Sequence, residues 1–151
     1  MDVLRKKVNR FPLGIWMALF ALGLICLAWL MQAYSLYDWE GAVNIGVQER
    51  SFLGDDIDRE IADIERGIAI ADLIWALPLT LIAFFGLIKK RLFGFIAGMM
   101  IFAICVYFPL FYAFRENMNI EIRVIAILVW AFPSFLGIIG LWVNKSLFKI
   151  N

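Results

Sequence analysis

Asp72 is the residue whose chemistry most needs an explanation. It is the one acid that lies within the long apolar stretches of this chain. A carboxylate among hydrocarbon costs several kcal/mol at mid-bilayer and less near an edge, so it is expected to face other helices, to pair or to bind. Trp75 follows three residues later, on nearly the same helical face. If successive helices alternate in direction, Gln32, Tyr107 and Tyr112 reach the same level. Trp130 belongs to a segment that repeats the surroundings of Trp75. Pro78, Pro109 and Pro133 each remove a backbone donor and free a carbonyl one turn earlier, which neighbouring groups must satisfy in lipid. Asp72, Tyr107, Gln32, Tyr112, Trp75 and Trp130 are therefore the candidate ligand-binding residues. They suit a small amphipathic or cationic ligand entering from the outer leaflet. The competing reading is a single buried hydrogen bond, such as Tyr107 to Asp72, that fixes helix register.

Little else in the sequence could react. The chain has no histidine, which removes histidine-bound haem, histidine metal sites and the commonest general base. Cys26 and Cys105 form no C-x-x-C pair and read as small buried residues. Phosphate-loop, dinucleotide, nucleophile-elbow and zinc-helix spacings do not occur. No catalytic residue, metal or cofactor is expected. Asn144-Lys145-Ser146 spells a glycosylation sequon, but on the side expected to be cytoplasmic.

The elements that must position these residues are helices. The chain is 64% hydrophobic over 151 residues, against about 45–50% apolar in soluble domains. The excess falls in four blocks, at about 11–33, 67–88, 92–114 and 124–143. Each is long enough, at about 1.5 Å per residue, to cross a hydrocarbon core of about 30 Å. The expected fold is an all-α integral membrane protein, a four-transmembrane-helix bundle forming one domain over 1–151. The basic first segment runs into an apolar stretch too long for a signal-peptide core, so no cleavage is expected.

Charge sets the orientation. All six lysines, with Arg5, Arg10 and Arg91, lie before the first block, between the second and third, or after the fourth. The excess of basic residues on one side places both termini and the Lys89–Arg91 turn in the cytoplasm. Basic residues at span ends meet anionic headgroups, and nucleic-acid binding is not expected. The expected location is the cell membrane, with the lipid bilayer as principal partner.

The segment 36–66 is the one substantial polar stretch, with nine acids against Arg50, Arg59 and Arg66. Ile57, Ile61, Ile64 and Ile68 recur at helical spacing. Asp55 or Asp56 can cap the helix start, and acids in the first turn suit its dipole. One helix from Asp56 to Ile88 is expected, its first turns standing outside the membrane and its isoleucines packed on Leu36–Phe52. This acidic outer loop is the expected docking surface for a protein partner. A homo-oligomer is a further expectation.

Two local patterns remain. Trp75-Ala76-Leu77-Pro78 matches Trp130-Ala131-Phe132-Pro133, which sets Ile127 where the first copy has Asp72. Gly94 and Gly98 form a G-x-x-x-G, whose small residues let helices approach closely; packing inside the chain is expected rather than dimerisation. From sequence, then, the chain is an accessory or scaffold unit of a membrane assembly. The alternative is a carrier or binder built around Asp72.

Overall fold

The structure, a computed structural model, describes residues 2–114 and 120–148, with the backbone alone for Tyr112, Glu121, Ile122, Arg123 and Ala126. A short helix, α1 (Asp2–Arg5), leads into a hairpin of β1 (Lys7–Val8) and β2 (Phe11–Pro12). Then come α2 (Leu13–Tyr37), α3 (Trp39–Asn44) and α4 (Asp56–Ala71). A π-helical segment, Asp72–Ala76, joins α4 to α5 (Leu77–Ile88), and α6 (Leu92–Ala113) follows. After the undescribed residues, α7 (Ile120–Ile125), a second π-helical segment (Ala126–Ala131) and α8 (Phe132–Val143) close the chain. Three helices are long and apolar enough to cross a membrane: Leu13–Tyr37, Asp56–Ile88 and Leu92–Phe111. A shorter apolar helix covers Ile127–Val143.

Residues Met1–Ile25 with Leu79–Asn151 form one compact unit, and Cys26–Pro78 forms the other. In the first, glycines carry the helix crossings. A Cβ on Gly86 would lie 2.8 Å from the Gly94 nitrogen, and one on Gly14 would lie 2.9 Å from Gly140 Cα. These are backbone-to-backbone approaches that a side chain cannot relieve. Gly98 faces Leu141, and Gly137 faces the Phe102 ring. Both members of the G-x-x-x-G thus pack inside the chain. Asn144 is buried and donates to the Gly140 carbonyl at 2.8 Å and the Leu4 carbonyl at 3.2 Å, so its amide is engaged in packing rather than displayed as a sequon.

The first helix begins at Leu13 rather than Phe11. Asn9 adopts a left-handed backbone (φ 58°) that folds the chain back, and Pro12 pairs with Lys7 instead of opening the helix. Asparagine tolerates that conformation better than most residues. The Trp16 indole donates to the Val8 carbonyl at 2.8 Å and pins the hairpin to α2.

The α5–α6 turn closes in a Schellman pattern: Arg91 N–H donates to the Gly86 carbonyl at 2.9 Å, and Lys90 N–H to the Leu87 carbonyl at 3.0 Å. The left-handed position of this motif normally falls to glycine. Here it is Lys90, at φ 54°.

Candidate functional site

The second unit is organised by polar latches on a short loop. Asp38 caps α3 through the Gly41 N–H at 2.9 Å. The Glu40 carboxylate accepts from Ser51 Oγ at 2.6 Å and the Phe52 N–H at 3.0 Å. The Trp39 indole donates to the Arg50 carbonyl at 2.8 Å and meets the Phe52 ring edge-on at 5.3 Å. Asp55 caps α4 through the Asp58 N–H at 2.9 Å, as the acidic start predicts. Arg50 then reaches Asp58 at 2.7 Å, and Arg66 lies 5.9 Å above the Phe52 ring.

These latches set the azimuth of α4, and they correct one expectation. Ile57 and Ile64 do not pack on the loop; they are 66% and 59% exposed. Ile61 and Ile68 are half-buried, and the buried positions are Ala62 and Ala69. At about 100° per residue, the Ala62–Ala69 line lies about 120° round the helix from the centre of the isoleucine stripe. The reason is local. The Arg50–Asp58 bond turns the Asp58 side of the helix toward the loop, and alanines allow close approach where isoleucines would hold it off. The stripe is left outward with acids on both flanks: Asp58 and Glu65 on one side, Glu60 and Asp63 on the other.

Asp72 opens the first π-helical segment. Its side chain is half-buried, and among the described residues it has no hydrogen-bond or ion-pair partner. Its backbone carbonyl accepts the Leu77 N–H, five residues on, and the second segment repeats this with Phe132 N–H to Ile127 O. The donor in each case is the residue before a proline. A proline ring clashes with the carbonyl four residues back, and one wider turn moves that carbonyl aside without breaking the helix. The W-A-x-P repeat is therefore also a repeat of backbone geometry. Pro109 sits inside α6 without such a segment.

Of the remaining candidates, Gln32 and Trp75 belong to the second unit with Asp72, and Tyr107, Tyr112 and Trp130 belong to the first. Gln32 is engaged by the loop, accepting from Gln48 Nε2 at 3.1 Å, and the same nitrogen donates to Ser35 Oγ at 3.0 Å. Trp75 is 63% exposed. Tyr107, expected to face Asp72 from the bundle interior, is 68% exposed and lies against Phe108 at 6.5 Å. Trp130 is half-buried, and the side chain of Tyr112 lies outside the described residues.

No protein family, curated protein or solved structure matches the chain. The site must be read from its own geometry. On α4 it exposes Ile57 and Ile64, the outward half of the isoleucine stripe. Sequence periodicity found the stripe but assigned it to the wrong neighbour. The acids on both flanks were the available signal that this face is not a folding contact.

Proposed function

We infer that the chain is a four-span membrane protein that serves as an accessory or scaffold unit and presents the first turns of α4 to a partner outside the membrane. The length of the Asp56–Ile88 helix supports this reading. Its 33 residues span about 50 Å at about 1.5 Å each, against a hydrocarbon core of about 30 Å. If the Lys89–Arg91 turn sits at the cytoplasmic surface, about 20 Å of α4 stands clear on the far side. The apolar Ile127–Val143 segment supplies the fourth crossing, with both ends of the chain in the cytoplasm.

One observation carries the reading: Ile57 and Ile64 are exposed on the part of the helix that would meet water. Exposed apolar faces with polar rims mark interaction surfaces. The exposed acids Glu60 and Asp63 beside the two isoleucines favour a partner with basic residues next to an apolar strip, because like charges opposed across an interface are unfavourable. They disfavour a second copy of the same face, which would set acid against acid.

The test is a photocrosslinking residue placed at Ile57 or Ile64 in intact cells. The expected result is one discrete adduct, lost when the other isoleucine becomes serine. Adducts at twice the chain mass would make the surface a homo-oligomer contact. Lipid adducts alone would place α4 on the membrane and remove the reading.

Asp72 supports a second reading, a ligand-binding role, because a half-buried carboxylate stands at a π-helical turn without a partner among the described residues. Such turns recur at functional sites. Asp72→Asn abolishes ligand binding under this reading and leaves an accessory role unchanged.

A further inference from the structure

In the first unit, two cations share one aromatic ring. The Arg10 guanidinium and the Lys90 ammonium each lie 5.3 Å from the centre of the Phe11 ring. Among the described residues neither makes a salt bridge. Ring faces attract cations but do not neutralise them, so two uncompensated charges are held at one place. Both are held by left-handed backbone turns. Arg10 follows Asn9 at φ 58°, and Lys90 itself has φ 54°. For a residue with a Cβ that conformation is strained, and glycine at position 90 would avoid the strain. The turn at Lys90 thus accepts strain and presents an ammonium.

Arg10 and Phe11 also line an apolar groove of about 520 Å³, together with Leu19, Phe20, Phe84 and Ile88. Trp16 forms a wall, fixed by its bond to the Val8 carbonyl. A second groove, of about 420 Å³, shares Trp16 and Phe20 and continues past Pro133 and Leu136. The Trp16–Phe20 ridge therefore has an apolar channel on each side.

We propose that this is a binding site for a diacyl anionic phospholipid of the leaflet facing the hairpin. Its phosphate lies between Arg10 and Lys90, and its two chains lie in the grooves on either side of the Trp16–Phe20 ridge. Charge complementarity selects this occupant. A guanidinium offers paired donors to a phosphate, an ammonium adds a point charge, and no acid competes for either among the described residues. A zwitterionic lipid would bring its own cation to the same place. The site rests on the membrane reading, but not on the role assigned to α4.

Lys90→Gly gives the sharpest test, because it removes the charge and the backbone strain together and leaves a fold at least as stable. The intact chain, purified in mild detergent, is offered equal phosphatidylglycerol and phosphatidylcholine, and retained lipid is counted by native mass spectrometry. The unaltered chain is expected to retain phosphatidylglycerol severalfold over phosphatidylcholine. Lys90→Gly and Arg10→Gln each lower that preference, and Lys89→Gln, a neighbouring lysine not placed over Phe11, leaves it unchanged. Ile88→Trp, which fills the groove, lowers retention of both lipids without changing charge. Equal retention of the two lipids by the unaltered chain overturns the proposal, as does a preference untouched by Lys90→Gly and Arg10→Gln. A chain extracted from membranes by alkaline carbonate would instead overturn the membrane reading, so the two failures are distinct.

Discussion

Replacing Gly86 with alanine tests one of the tight backbone approaches in the first unit. The new methyl would lie 2.8 Å from the Gly94 nitrogen and 2.8 Å from Phe93 Cε2. Heavy atoms in contact rest about 3.5–4.0 Å apart, so α5 and α6 must separate or tilt. Overpacking of this kind costs about 1–3 kcal/mol. Alanine also gains about 0.8–1.0 kcal/mol over glycine in a helix interior, so the raw effect of one substitution is ambiguous. A paired design removes the ambiguity. Gly67 and Gly23 are helical and have nothing within 4 Å of an added Cβ. Gly67→Ala and Gly23→Ala collect the propensity gain alone. The gap between them and Gly86→Ala is the overpacking cost, about 1–3 kcal/mol. For a chain of this size each kcal/mol moves the melting temperature by about 2–4 °C. Thermal melts in one detergent should therefore place Gly86→Ala roughly 2–12 °C below the two controls. Gly94→Ala should fall with Gly86→Ala. If all four variants melt together, the helices at the Lys89–Arg91 turn do not touch through backbone, and the reasoning from glycine contacts fails.

Lys90→Gly should raise the melting temperature, because it relieves a left-handed residue worth about 1–2 kcal/mol; a lower melting temperature would mean that the Phe11 contact outweighs the strain. Ser134 is buried, and its hydroxyl has no hydrogen-bond partner among the described residues. Ser134→Ala should be neutral or stabilising by about 1 kcal/mol, and a clear loss in the same melts would reveal a hidden bond. The Arg50–Asp58 pair is partly exposed, so Arg50→Ala should cost less than about 1 kcal/mol globally. It should still speed amide hydrogen exchange across residues 45–55, where the pair and the Trp39–Arg50 bond close the loop; unchanged exchange would show that Glu40 and Trp39 suffice. A cysteine at position 90, in a chain lacking Cys26 and Cys105, should resist an impermeant thiol reagent in intact cells. Labelling there would reverse the orientation inferred from the lysines.

The sequence by itself carried the helical class, the apolar runs of the three long helices among its four apolar blocks, and the start of α4 at Asp56. The reasons are one-dimensional: hydrocarbon demands unbroken apolar runs, and Asp55 caps whatever helix follows it. The W-A-x-P repeat was legible as spelling, and the matching π-helical turns follow from the proline at its end. Which face of each helix is covered could not be read the same way. Along α4 Ile57 and Ile64 point outward because the Arg50–Asp58 bond and the alanines at 62 and 69 set the rotation, and that pairing depends on how the loop folds back. Residues at one level along their helices need not share a face, and the exposure of the Trp75 and Tyr107 rings depends on how each helix is turned within its own unit. The ring shared by Arg10 and Lys90 joins residues 80 positions apart. It exists because two left-handed turns bring the hairpin and the α5–α6 connection together, a conjunction that only the tertiary structure decides.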